Sequence, residues 1–76
     1  KLRSICRESI TSIDAAQNIV VIKTMSGLAN AAGAALDSMS IPEIVGSLAG
    51  DDTVLLVMRD NASARNFCED IHTLLK

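Results

Sequence analysis

The run Gly46-Ser47-Leu48-Ala49-Gly50-Asp51-Asp52-Thr53-Val54-Leu55-Leu56-Val57-Met58 constrains this chain more than any other stretch. An apolar segment enters, Gly50-Asp51-Asp52 breaks it, and a β-favouring segment leaves, which is the sequence form of a tight hairpin. Val54 to Met58 shows no polar alternation, so burial on both faces of a sheet is expected. Two carboxylates thus sit at the hinge of the most apolar part of the molecule, where charge is costly unless something satisfies it. Neighbouring side chains on extended backbone point to opposite faces. The pair is therefore expected to divide, one facing outward to a ligand and the other inward to donors of its own turn.

Residues 1–76 are read as one domain, since a chain this short buries only roughly 60% of its unfolded surface and has no room for a second core. Hydrophobic residues make up 49% of it, yet Phe67 is the only aromatic. A core of Ala, Val, Ile and Leu without large rings is thin for a small monomer, and further apolar surface is expected to be buried between subunits. The net charge of −2 argues against this segment neutralising nucleic-acid phosphates. Lys1, Arg3 and Arg7 form its one basic cluster, read as solvated. No apolar run approaches the ~20 residues that span a bilayer, and no signal peptide is visible. No membrane partner and a cytoplasmic location are expected. A start at Lys rather than Met is read as a fragment whose preceding domain is absent. Cys6 and Cys68 lie far apart in no metal-like spacing, and each is expected to be a buried free thiol.

Residues 2 to 14 carry two signals. Leu2, Ile5, Cys6, Ile10 and Ile13 recur at helical spacing, whereas Ile10-Thr11-Ser12-Ile13 favours a strand, which is the reading adopted for the second half. Asp14 to Asn18 reads as a turn, and Ile19-Val20-Val21-Ile22 as a β-branched strand. From Leu28 the period changes: Leu28, Ala32, Ala35, Leu36 and Met39 form the stripe of an amphipathic helix that stops near Ser38 to Ser40, before Pro42. After the hairpin, Asp60-Asn61 supplies an N-cap. Ala64, Phe67, Cys68, Ile71, Leu74 and Leu75 then mark a second helix, with Arg65, Glu69, Asp70, His72 and Lys76 outside. The only histidine, His72, is read as exposed and inert. The fold class is α+β: a two-layer sandwich of a four-stranded antiparallel sheet with two helices on one face, in the order ββαββα.

On the first helix Asn30, Gly33, Ala34 and Asp37 share a flank, with Asn30 and Asp37 two turns, or about 10 Å, apart. Two readings stand. Small residues between two polar groups let a ligand or another backbone approach, or Gly33 and Ala34 merely pack against a neighbouring element. If Asp37, Asp51, Asp52 and Asn30 do border one pocket, it selects a cation. A guanidinium, which takes a carboxylate in a planar two-point fork, suits them better than a metal, because adjacent strand carboxylates diverge. No metal ligand set and no cofactor motif is found. The Gly-Asp-Asp triplet also occurs in polymerases that hold magnesium, but the chain carries nothing else of that pattern.

Ile22-Lys23-Thr24-Met25-Ser26-Gly27, the Ala-rich helix ending Ala35-Leu36-Asp37, and Val45 to Val54 together resemble the C-terminal domain of bacterial arginine repressors over nearly the whole chain. That resemblance implies a domain that binds L-arginine as co-repressor, forms trimers, and joins two trimers into a hexamer with arginine between them. DNA would be reached only through a separate N-terminal winged helix-turn-helix domain. By the same resemblance Asp51 grips the guanidinium of an arginine held mainly by the facing trimer, and Asp52 stands at the same site. Asp37, with backbone near Ser47 and Ala49, holds the amino-acid end. Asn30 stands where the family often has Gln, and Ser47 where Thr is usual. The competing class is a small oligomeric enzyme acting on a cationic substrate with Asp51 or Asp37 as general base. No nucleophile and no second group of tuned acidity supports it, so no catalytic residue is assigned.

Overall fold

The computed structural model describes residues 2–75, leaving aside the side chains of Leu2, Arg3 and Leu74. The elements run α1 (Leu2–Ser9), β1 (Ile10–Ala16), β2 (Ile19–Thr24), α2 (Ala29–Ser38), β3 (Ile44–Ala49), β4 (Thr53–Met58) and α3 (Asn61–Leu75). The four-stranded sheet has the order β1-β2-β4-β3 and is antiparallel throughout. The expected α+β sandwich is present, with one addition. Both signals in the first 14 residues are real, a helix to Ser9 followed directly by a strand that runs on to Ala16. The expected turn at Asp14 to Asn18 shrinks to Gln17-Asn18, where Gln17 takes the left-handed conformation at φ 55°.

Register builds the core. Ile13 stands opposite Ile22, and Ile22 opposite Val54, while Val20 stands opposite Leu56. These side chains are buried on the sheet face that carries the helices, where they meet Ala29, Ala35, Leu36, Ala64, Phe67, Cys68 and Ile71. Each such fully buried Val, Leu or Ile contributes about 1.5–3 kcal/mol relative to exposure. α1 packs on α2 and α3, and it contributes Cys6, which is wholly buried. Its junction with β1 is held by the Met25 amide, which donates to the Ser9 carbonyl at 2.9 Å.

Both cysteines are free and buried, and burial pushes both thiols up from their ordinary value. For Cys68 the carboxylates of Asp14 and Glu69 add to that effect. Arg7 and His72 are exposed; Lys1 and Lys76 lie outside the described residues. The Asp60 carboxylate caps α3, accepting the Ser63 amide at 2.7 Å, and this bond holds its pKa below the ordinary range.

The other sheet face is uncovered in the single chain and apolar across the middle of β2, β4 and β3, with Ser12, Asp14 and Lys23 exposed on β1 and the end of β2. Val21 pairs with Leu55 and Leu55 with Leu48, and Ile19 pairs with Val57 one row along. Leu48 is 74% exposed, Leu55 40% and Val57 41%. β4, expected to be buried on both faces, is buried on one: Val54, Leu56 and Met58 point inward while Leu55 and Val57 point out.

Candidate functional site

α2 and the β3–β4 hairpin lie side by side, and their contacts fix where the predicted site residues fall. At the start of α2 the Leu28 cap position offers no side-chain bond, and the Ala29 amide donates to the Asp51 carbonyl at 3.2 Å instead. That satisfies one of the orphan donors every helix start presents and ties the helix to the hairpin tip. At the far end of α2 the Ser47 hydroxyl donates to Asp37 Oδ1 at 3.1 Å. Between these points Gly33 faces the sheet: a Cβ there would stand 3.5 Å from Cβ of Ala49 and 3.9 Å from the Val54 methyls. Of the two readings of this flank, packing holds for Gly33, which is buried, whereas Ala34, Asn30 and Asp37 are exposed.

β3 is an edge strand. The Gly50 amide donates to the Thr53 carbonyl at 2.9 Å, closing the turn. Alternation along an antiparallel ladder then directs the backbone groups of Leu48 toward β4 and those of Ser47 and Ala49 toward the open edge. The backbone of Ser47 and Ala49 is thus available to a ligand or another chain. Asn30, in the first turn of α2 near the hairpin tip, makes no side-chain hydrogen bond among the described residues.

Both carboxylates of the turn are engaged within the chain. Asp52 does bond within its own turn, Oδ1 accepting the Thr53 hydroxyl at 2.9 Å. Asp51, read as the guanidinium ligand, has its Oδ2 bonded to the β2–α2 loop, accepting the Gly27 amide at 3.3 Å and the Ser26 hydroxyl at 3.5 Å. Gly27 has φ 79°, a conformation that glycine adopts at no steric cost, and this turns its amide toward the hairpin. Both side chains are exposed, and each keeps one oxygen, Oδ1 of Asp51 and Oδ2 of Asp52, without a partner among the described residues.

Sequence reasoning missed Ser26, Gly27 and Thr53 as parts of this cluster. Ser26-Gly27 was legible only as the end of a strand, and Thr53 only as part of the run that leaves the Gly50-Asp51-Asp52 turn. The sole available cue was a hydroxyl directly after a carboxylate pair.

A cleft of about 450 Å³ between the α2–β3 loop and α3 is lined by Ile41, Glu43, Phe67, Asp70 and others and includes none of the predicted residues. A smaller one of about 170 Å³ reaches Asp37 and is walled by Leu36, Ile44 and Gly46. No group of three or more potential metal ligands occurs among the described residues.

Residues 6–73 match the family described as the arginine repressor, C-terminal domain. The chain belongs to the arginine repressor family. Arginine repressors from Acetivibrio thermocellus and Caldicellulosiruptor saccharolyticus are 51% and 44% identical to it, covering 100% and 99% of this chain. One from Exiguobacterium sibiricum is 41% identical over 75 residues. The chain spans about half the length of the curated arginine repressors it matches, 49–50% of these three. All are named as repressors, so the enzyme reading of the acidic cluster does not stand. Among the described residues of this arginine repressor domain no helix is long and apolar enough to cross a membrane.

Proposed function

We propose that this chain is the L-arginine-sensing and assembly domain of a transcriptional repressor acting in the cytoplasm on genes of arginine metabolism. Arginine, the co-repressor, binds between two trimers and favours the hexamer. DNA is contacted by a separate N-terminal winged helix-turn-helix domain of the intact protein. The observation that carries this reading is the separation of two acidic poles along one exposed flank: Asp37 against Ser47 at one end of α2, and Asp51 with Asp52 at the other. A free amino acid presents an ammonium and, in arginine, a distant guanidinium, two cations at its two ends.

In this assignment Asp37 accepts the ammonium, and the open-edge backbone of Ser47 and Ala49 takes the remaining polar groups of the amino-acid end. Asn30 contributes an amide at the rim. The guanidinium extends to Asp51 of a facing copy, which offers Oδ1, with Oδ2 of Asp52 beside it. Because the ligand then contacts two copies, arginine binds the hexamer more tightly than the trimer, and by linkage it must promote assembly. The uncovered apolar rows of the sheet supply the surface for trimer formation.

Sedimentation of the chain with and without arginine tests this. A trimer that becomes a hexamer on adding arginine, and not on adding citrulline, is the expected result. A monomer at micromolar concentration in both conditions overturns the reading.

A further inference from the structure

Lys23, Thr53 and Asp52 form a continuous hydrogen-bonded chain from the outer sheet face to the hairpin tip. Lys23 Nζ donates to Thr53 Oγ1 at 2.9 Å, and Thr53 Oγ1 donates to Asp52 Oδ1 at 2.9 Å. Thr53 stands directly opposite Lys23 in the β2–β4 ladder, so the first bond follows from register. A hydroxyl carries one proton. With an ammonium donating into its oxygen, that proton goes to the carboxylate, and the direction of both bonds is set. Donation by the cation also polarises the hydroxyl and strengthens its own donation.

We propose that Thr53 is a positioning residue for Asp52 and that Lys23 anchors it from the outer face. An exposed aspartate is otherwise free to rotate and must be ordered when it meets a ligand. The chain fixes Oδ1 on the protein side and leaves Oδ2 for the guanidinium, so part of the ordering is complete before arginine arrives. Lys23 projects from the same face as Val21 and Leu55, the surface proposed to be covered on assembly. The same device connects the state of that face to the geometry of the binding carboxylate. The inference rests on the arginine-binding reading above.

Two mechanisms give opposite signs for Lys23. Acting only as a nearby positive charge, it repels a guanidinium, and Lys23→Met tightens arginine binding, most at low salt. Acting through Thr53, it orders Asp52, and Lys23→Met weakens binding. Calorimetric titration of L-arginine into the wild-type chain, T53S, T53V, K23M and the T53V/K23M double variant separates them. Expected are wild-type affinity in T53S, affinity lowered roughly three- to tenfold in T53V, a smaller loss in K23M, and a double variant no weaker than T53V alone. Valine is β-favouring and close in shape to threonine, so T53V keeps the strand. Wild-type affinity in T53V, tighter binding in K23M, or independent losses in the double variant each overturn the relay. Failure of the wild-type chain to bind arginine overturns the relay together with the proposed function, whereas binding that T53V leaves intact overturns the relay alone.

Discussion

The Ser47 hydroxyl lies 3.1 Å from Asp37 Oδ1, joining the open edge strand β3 to the last turn of α2. The bond holds the carboxylate over the strand edge and satisfies one of its oxygens before any ligand is present. The ammonium proposed to bind at Asp37 would thus meet an acceptor that is already oriented.

Ser47→Ala removes that orientation and leaves the charge. Arginine affinity is expected to fall by roughly 0.5–1.5 kcal/mol, about two- to tenfold. Ser47→Thr, which keeps the hydroxyl, retains wild-type affinity. Titration calorimetry on the two variants decides the point, and equal weakening in both refutes the role given to the hydroxyl.

Asp51→Asn removes the charge proposed to face the guanidinium but keeps an oxygen able to accept from Gly27. Losing one partner of a charge pair buried by assembly typically costs ~2–5 kcal/mol. Binding of arginine should drop by that amount, and the preference over citrulline should disappear. The melting temperature should change little. Asp51→Ala additionally frees the β2–α2 loop and should lower it. Wild-type affinity and selectivity in Asp51→Asn contradict the assignment.

Gly33 is closely packed but not cramped. Alanine there places a Cβ at 3.5 Å from Ala49, ordinary contact, while removing glycine's penalty in a helix interior. Gly33→Ala is expected to stabilise the chain by about 0.5–1 kcal/mol in urea unfolding. Gly33→Leu must push α2 off β3, at a cost of about 1–3 kcal/mol.

Leu55 contributes to the outer face and not to the core. Leu55→Asp should therefore leave the fold intact by far-UV circular dichroism. It should weaken self-association by at least about 1.4 kcal/mol, tenfold in the dissociation constant. An unchanged sedimentation profile excludes this face from the interface.

The acidity of Asp60 makes a pH prediction. Its folded-state pKa is depressed, first by the Ser63 amide bond, so its contribution is present above the unfolded value of about 3.9 and is lost as pH falls through the lower folded value. Between pH 5 and pH 2 the wild type should lose more thermal stability than Asp60→Asn, whose neutral amide still caps α3. Parallel melting curves contradict it.

The strands, the α2 stripe and the cap of α3 were legible because each is a local property. A β-branched run such as Ile19 to Ile22, an apolar repeat at helical spacing, or Asp60 ahead of an apolar helix states its preference within a few residues. α1 was ambiguous because Ile10 and Ile13 fit a helical repeat begun at Leu2 and also an alternating strand. Burial of Cys6 between the other helices and the core resolves it. The two hairpins are local as well, but the β2–β4 pairing that joins them depends on which order buries Ile22 and Val54 together beneath α2.

The candidate site divides the same way. Sequence alone determined that polar groups, three of them carboxylates, would gather at the hairpin tip and on one flank of α2, since chain order and helical period place Asp51, Asp52, Asn30 and Asp37 there. Tertiary structure alone decided which partner each received. Asp51 is held by Gly27 and Ser26 rather than left free, because the end of β2 arrives beside the tip only when β2 pairs with β4. A hydrogen bond needs donors within about 3.5 Å, and residues 24 positions apart in the chain reach that distance only through the packing of the whole sheet.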